Sequence, residues 1–360
     1  MIRRRGASHV WLMLLAGWSV LLLTGCSAPK PVASESFVFG TRVEIQVADD
    51  VPAARIRTAV ADVLAEFDRM HRTYHAWQPS ELTQLNDALA AGKKAPVSKE
   101  MAALLSEAQG FSKASDGLFD PGIGRLIALW GFHADSYVAQ LPDPAAVQAW
   151  LGRHPSIRDL TIQTDQNGGW VSSRNNQVAL DLGGSLKGTA LDRAAAILQA
   201  AGLRNVLINI GGNVMALGSR YGNPWRVAIQ APRYAGPLAI LELKDGEATG
   251  TSGDYQRYFE VDGQRYPHLL DPRTGYPPTG VQSVTIVVDG PSAGVRSDVL
   301  TKPLFMAGSE AWPAMVQRLG LKAVLYVAAD NEVRVTSALA DRLKFEPHNG
   351  KLPNIVRVSP

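Results

Sequence analysis

Asp181-Leu182-Gly183-Gly184-Ser185-Leu186-Lys187-Gly188 is the stretch on which the reading of this chain turns. The apolar residues leading into it, 178–182, read as a strand that runs into the paired glycines. A helical pattern follows over about 188–201, with Thr189 and Asp192 spaced as a capping box. Glycines between a strand and a helix let backbone N–H groups at the helix start approach an anion, and Lys187 adds charge. The spacing is neither Gly-x-x-x-x-Gly-Lys-Ser/Thr nor Gly-x-Gly-x-x-Gly, which sets aside the P-loop and the Rossmann fingerprint. Taken alone, the stretch also reads as a structural turn, glycine's ordinary role at such a junction.

Outward from this turn, Val206–Ile210 is a short apolar strand ending at Gly211-Gly212. Further strands are predicted at Trp225–Gln230, 238–243, 256–261, Val281–Val288 and 321–327, and helices over 292–301 and 310–319. Upstream, Phe37, Phe39, Val43, Ile45 and Val47 alternate as in a strand. Ile56, Val60, Val63, Leu64, Phe67 and Met70 fall at helical spacing. A helix is expected from the N-cap Ser98 to near Gly117, and another over 144–153. Trp130 and Trp150 read as packing residues. Helices and strands mix without a regular βαβ rhythm, which points to α+β with mostly antiparallel sheets flanked by helices.

Two further stretches could carry chemistry. Tyr266-Pro267-His268-Leu269-Leu270-Asp271-Pro272-Arg273-Thr274-Gly275 holds a tight Asp-Pro…Gly turn. If a strand precedes it, Tyr266 and His268 share a face and Leu269 takes the other. His268 is then placed as a base or an anion contact, with a hydrogen-bonded structural histidine as the alternative. In Ser297-Asp298-Val299-Leu300-Thr301-Lys302-Pro303, Asp298 could bind a hard cation such as Mg2+ beside phosphate oxygens. It could equally form an i,i+4 pair with Lys302 on a helix.

The N-terminus points to the destination. Arg3-Arg4-Arg5, an apolar run from Val10 to Leu23 and Leu23-Thr24-Gly25-Cys26 have the layout of a secretory signal. The ending resembles the lipobox of bacterial lipoproteins, which implies lipid on Cys26 and cleavage before it. The expected organisation is a signal over 1–25, a tether over 26–35, one domain over 36–345 and a tail over 346–360. Of the 36 Lys and Arg, three are Arg3, Arg4 and Arg5; the other 33 face 33 Asp and Glu. A neutral mature chain makes no case for nucleic acid, which needs a basic face. Cys26 is the only cysteine, so no disulfide, thiolate metal site or cysteine nucleophile is available after it.

In this order, the pieces resemble the ApbE family, the FAD:protein FMN transferases, a T-fold-related α+β fold. The matching elements include Gly40-Thr41, Thr73-Tyr74, Leu85-Asn86, Phe119-Asp120-Pro121, Trp130-Gly131-Phe132, the glycine stretch, Ser252-Gly253-Asp254-Tyr255, His268 with Asp271-Pro272-Arg273-Thr274-Gly275, and Asp298. The resemblance implies cleavage of FAD and attachment of FMN through a phosphoester to Ser or Thr of an acceptor flavoprotein, with release of AMP. It implies Mg2+ on the Leu186 backbone carbonyl and Asp298, and His268 as the base acting on the acceptor hydroxyl. Tyr74, Phe119, Asp120, Gly183, Lys187, Thr189 and Leu269 would line the FAD site. The expected setting is the periplasmic side of the envelope, by a lipid anchor in the outer membrane, with an acceptor from an envelope electron-transfer system. The alternatives are an FAD-binding carrier lipoprotein and an FAD diphosphatase.

This chain departs from the family's pattern at the metal. The family's second side-chain ligand is a Thr four residues after the Asp, and here that position is Lys302. A charged lysine offers three donors and no lone pair, so it cannot coordinate as threonine does. Either the Lys302 ammonium takes the place of the metal, or it pairs with Asp298 and transfer is lost.

Overall fold

A nine-stranded sheet organises the domain. In spatial order its strands are Val32–Val38, Thr41–Val47, Val206–Ile210, Asn213–Leu217, Ala248–Gly253, Val281–Val288, Ala323–Ala328, Val333–Thr336 and Ile355–Val358. Neighbours run antiparallel except the last two, which are parallel. The structure, a computed structural model, describes residues 30–134, 136, 138–166 and 168–359. The segment expected to be a signal, 1–25, and the expected lipidation site Cys26 lie outside the described residues.

Strand alternation divides the sheet's side chains between two cores. Val206, Ile208 and Ile210 face one, with Val324 and Tyr326, whereas Leu207, Ala323, Leu325 and Val327 face the other. Helices Ala53–Tyr74, Leu186–Ala200, Ala293–Val299 and Thr301–Arg318 close the first core with Phe67, Leu191, Val295 and Phe305. A smaller sheet, Leu343–Phe345, Pro237–Leu243 and Trp225–Gln230, closes the second with Trp225, Leu241 and Leu243. Each such fully buried side chain stabilises the fold by about 1.5–3 kcal/mol. The arrangement is the α+β, mostly antiparallel one expected.

A third cluster, Trp130, Phe132, Trp150, Phe259 and Leu270, holds the hairpin of Tyr258–Val261 and Gln264–Pro267. The Trp130 indole N–H donates to the Gly275 carbonyl at 2.8 Å and fixes the Asp-Pro…Gly turn beneath it. Asp262 and Gly263 turn the hairpin with φ +51° and +76°, the left-handed pair that a two-residue hairpin loop requires.

Several elements differ from expectation. Residues 178–182 are extended but form no strand. Ala179 bridges Ile123, Leu180 exchanges both backbone bonds with the Asn86 side chain, and Asp181 N–H donates to Pro121. A loop and an amide, rather than a sheet edge, satisfy that backbone. The 37–47 run is a hairpin instead of one strand, reversed at Phe39 and Gly40 with φ +56° and +67°. Its first strand begins at Val32, so residues 32–35 belong to the sheet and not to a tether. Ile355–Val358 likewise extends the sheet, where composition suggested a tail. Thr189 lies inside its helix, the hydroxyl donating to the Ser185 carbonyl, so Thr189 and Asp192 form no capping box. The helices expected over 292–301 and 310–319 are instead Ala293–Val299 and Thr301–Arg318, the second broken at Gly308 (φ +73°).

Candidate active site

The site begins where two helices touch without side chains between them. A Cβ on Gly188 would lie 2.5 Å from the Gly294 carbonyl oxygen and 2.7 Å from Asp298 Cβ. From behind, a Cβ on Gly250 would lie 2.2 Å from the Ser297 oxygen. The segment Ala293–Val299 is therefore clamped between strand Ala248–Gly253 and helix Leu186–Ala200. This approach delivers Asp298 to the start of the latter helix, where Oδ2 accepts the Gly188 N–H at 2.9 Å. Oδ1 accepts from Lys302 Nζ at 2.7 Å, and the same ammonium donates to the Asp298 backbone oxygen at 2.8 Å.

Asp298 is 2% exposed. Burial alone would raise its pKa, but Lys302, Lys187 and the hydrogen bonds from Lys302 and Gly188 together hold it below the usual carboxylate range. Lys187 is shifted down, first by burial and then by Lys302 and Arg257, with Asp298 opposing. The Lys302 stem lies against the glycine turn: a Cβ on Gly184 would stand 3.3 Å from Lys302 Cε and 3.3 Å from the Phe119 ring. Gly183 N–H is taken by Asp181 Oδ1 at 2.7 Å, while Asp181 Oδ2 receives the Trp77 indole N–H at 3.1 Å. Two amides expected to be open to an anion, those of Gly183 and Gly188, are thus committed to carboxylates.

His268 leaves the hairpin directly opposite Arg257. Its backbone N–H donates to the Arg257 carbonyl at 3.0 Å, and its Nδ1 lies 3.1 Å from that same oxygen. A carbonyl can only accept, so Nδ1 carries the proton and Nε2 of the neutral ring keeps a lone pair. Although the ring is half-buried rather than sealed, its surroundings push its pKa down to about 3. Desolvation is the largest cause, followed by the charges of Arg257, Lys187 and Lys302, against the Arg257 carbonyl bond. The Phe132 ring meets the imidazole edge-on at 6.3 Å.

Of the residues singled out from the sequence, Gly183, Lys187, His268, Asp298, Lys302 and Phe119 converge here. Leu186 is buried one position before Lys187, and Leu269 packs into the main core beside His268. Asp120 is occupied otherwise. Its carboxylate accepts the N–H groups of Gly122 and Ile157, both at 2.8 Å, and the hydroxyls of Ser156 and Ser112. It ties two loops together next to Phe119. Tyr74 is buried in the main core, its pKa raised by desolvation and by Glu100. Thr189 lines a surface groove of about 670 Å3 with Glu100, Glu107, Asp192 and Arg193. Arg257 and Trp77 were not anticipated. The Asp262-Gly263 turn was the available signal for Arg257, because its register sets 257 against 268.

A profile described as the ApbE family matches residues 39–325. The chain belongs to the ApbE family. It is similar to the FAD:protein FMN transferase of Rhodobacter capsulatus, 42% identical over 346 residues that cover 95% of this chain. This chain spans 64% of the length of that relative. The FAD:protein FMN transferase of Treponema pallidum (strain Nichols) is 30% identical over 335 residues, 89% of this chain and 91% of that protein. Among solved structures, the ApbE protein of Thermotoga maritima superposes with a TM-score of 0.78 at 31% identity, over 87% of this chain and 99% of that one.

The Mg2+ that an ApbE family member implies does not fit the donor set found here. Both Asp298 oxygens already accept hydrogen bonds, and the residue four positions on is an ammonium. A divalent ion about 4 Å from an ammonium is repelled by roughly 8 kcal/mol at an effective dielectric near 20.

Proposed function

We propose that this chain is an FAD:protein FMN transferase: it cleaves the diphosphate of FAD, esterifies FMN to a Ser or Thr hydroxyl of a partner flavoprotein and releases AMP. Family membership supports this reading. The observation that carries it is His268, its Nε2 unprotonated, standing among the cationic groups Lys187, Lys302 and Arg257 at a glycine turn.

The chemistry follows from those groups. The three cations attract the diphosphate and stabilise the charge that develops on its oxygens. Nε2 accepts the proton of the acceptor hydroxyl as its oxygen bonds to the FMN phosphorus. The bond from that phosphorus to the bridging oxygen breaks, and its electron pair leaves with AMP. Such a base is worth about 10²–10⁴ in rate. With the site empty of anion, a value of about 3 makes His268 a weak base. The incoming phosphates offset the share of the shift that the three cations cause and move the imidazole upward, while desolvation, the largest cause, stays. FAD binding thereby activates the base.

The setting is read from the N-terminal sequence. Lipid on Cys26 would tether the domain to the periplasmic side of the envelope, with the outer membrane favoured. The acceptor would be a flavoprotein of an envelope electron-transfer system. No helix among the described residues is long and apolar enough to cross a membrane. Cys26→Ala should move the protein from the membrane fraction to the soluble one.

The deciding experiment incubates the purified protein with FAD and an acceptor peptide, then follows AMP release and in-gel flavin fluorescence after denaturation. A fluorescent acceptor band is the expected result. AMP without a labelled acceptor would mark a diphosphatase, and FAD binding without AMP a carrier.

A further inference from the structure

We propose that Lys302 replaces the divalent cation in this chain: its ammonium, anchored on Asp298 and joined by Lys187 and Arg257, receives the FAD diphosphate, and no metal is taken up there. The inference rests on the flavin-transfer reading and adds how the phosphates are neutralised.

The anchoring is built, not incidental. Lys302 Nζ bonds both to the Asp298 carboxylate and to the Asp298 carbonyl one helical turn back, so two of its three protons are fixed. Its stem runs along the glycine turn at Gly184, opposite Phe119. Lys302 does pair with Asp298, but the pairing leaves its third N–H for a phosphate oxygen, so pairing and replacement of the metal are one arrangement here rather than alternatives. Asp298 is itself held by the Gly188 amide, so the ammonium is fixed at the start of helix Leu186–Ala200.

The charges agree. Lys187 and Lys302 both act on the single Asp298 carboxylate, and the charge of each reaches His268. This desolvated cleft therefore favours a further anion over a further cation. A diphosphate supplies the missing negative charge; an added Mg2+ would increase the imbalance. The transfer step stays balanced without a metal: the phosphoester O–P bond forms, the P–O bond to AMP breaks, the hydroxyl proton goes to His268, and the charge leaving on AMP develops beside Lys302.

The test compares the full chain with Lys302→Thr, the variant that restores a neutral oxygen. FAD affinity is measured by flavin fluorescence in EDTA and in excess Mg2+, and metal uptake by Mn2+ paramagnetic resonance. The native protein should bind FAD equally in both and take up no Mn2+. Lys302→Thr should bind FAD about tenfold more weakly in EDTA, recover in Mg2+ and acquire a Mn2+ signal. Native protein that binds Mn2+, or binds FAD about tenfold tighter with Mg2+, overturns the proposal; these readings need no variant to fold. A Lys302→Thr protein that loses nothing in EDTA overturns it as well. Failure to bind FAD under any condition overturns the flavin-transfer reading itself, a result distinct from metal-dependent binding.

Discussion

Asp192 and Asp298 cap each other's helices. Asp192, on helix Leu186–Ala200, accepts the N–H groups of Gly294 and Val295 at 2.8 and 2.9 Å, at the start of Ala293–Val299. Asp298, on Ala293–Val299, accepts the Gly188 N–H at the start of Leu186–Ala200. Neither helix has a side-chain cap of its own. Each carboxylate also meets the positive end of the other helix's dipole. This exchange fixes the register of two segments about 100 residues apart, and the site hangs from that register.

Breaking one half of the exchange should loosen the whole. Asp192→Ala leaves two amides without their acceptor and should lower stability by about 1–2 kcal/mol, read by urea denaturation. FAD affinity should fall too, since Asp298 and Lys302 shift with the segment. Gly188→Ala should act in the same direction by about 1–3 kcal/mol, because its methyl would meet backbone rather than a movable side chain.

His268 should titrate far below an ordinary histidine. Its folded value is about 3 against 6.5. Between these pH values the unfolded chain binds a proton that the folded one refuses, so this group's contribution to stability falls as pH drops from 6.5 towards 3 and is constant above 6.5. Imidazole NMR shifts of the FAD-free protein should remain those of the neutral ring at pH 5. Addition of FAD should bring the transition upward.

His268→Ala should abolish transfer while FAD binding changes little, because the ring contributes a base and not a cation. The check is single-turnover AMP release alongside a binding titration. Equal loss of both would assign the residue to binding.

Arg257→Gln should weaken FAD binding and raise the His268 pKa together, since one guanidinium is responsible for attraction in the first case and repulsion in the second. Paired fluorescence and NMR titrations measure both.

Asp120→Ala should behave as a stability variant. Its carboxylate holds two loop amides and two hydroxyls. Leaving a buried donor unpaired costs about 1–3 kcal/mol, to be seen in the thermal midpoint. FAD affinity of the surviving folded protein should drop far less than in Arg257→Gln.

Local patterns in the chain were enough for the elements that satisfy themselves. The strands expected at Val281–Val288 and Trp225–Gln230 are those found, residue for residue. Ser98 caps its helix through Met101 N–H as its position implied. The Asp298–Lys302 pair was visible from spacing, because i,i+4 neighbours on a helix meet whatever surrounds them. Residues 178–182 misled because their hydrogen bonds go to the 121–123 loop and, for Leu180, to Asn86, about 94 positions earlier in the chain, which no local pattern contains.

Residue order therefore settled the class of fold, the glycine turn, the Asp-Pro hairpin end and the family, since periodicity and turn chemistry act over a few neighbouring positions. Folding alone set Lys302 on the glycine turn opposite Phe119, brought Lys187 and Lys302 near His268 and committed the Gly188 amide to Asp298. Those contacts join segments from four parts of the chain, and their energies depend on burial and on charges that become neighbours only once the helices and the sheet have packed.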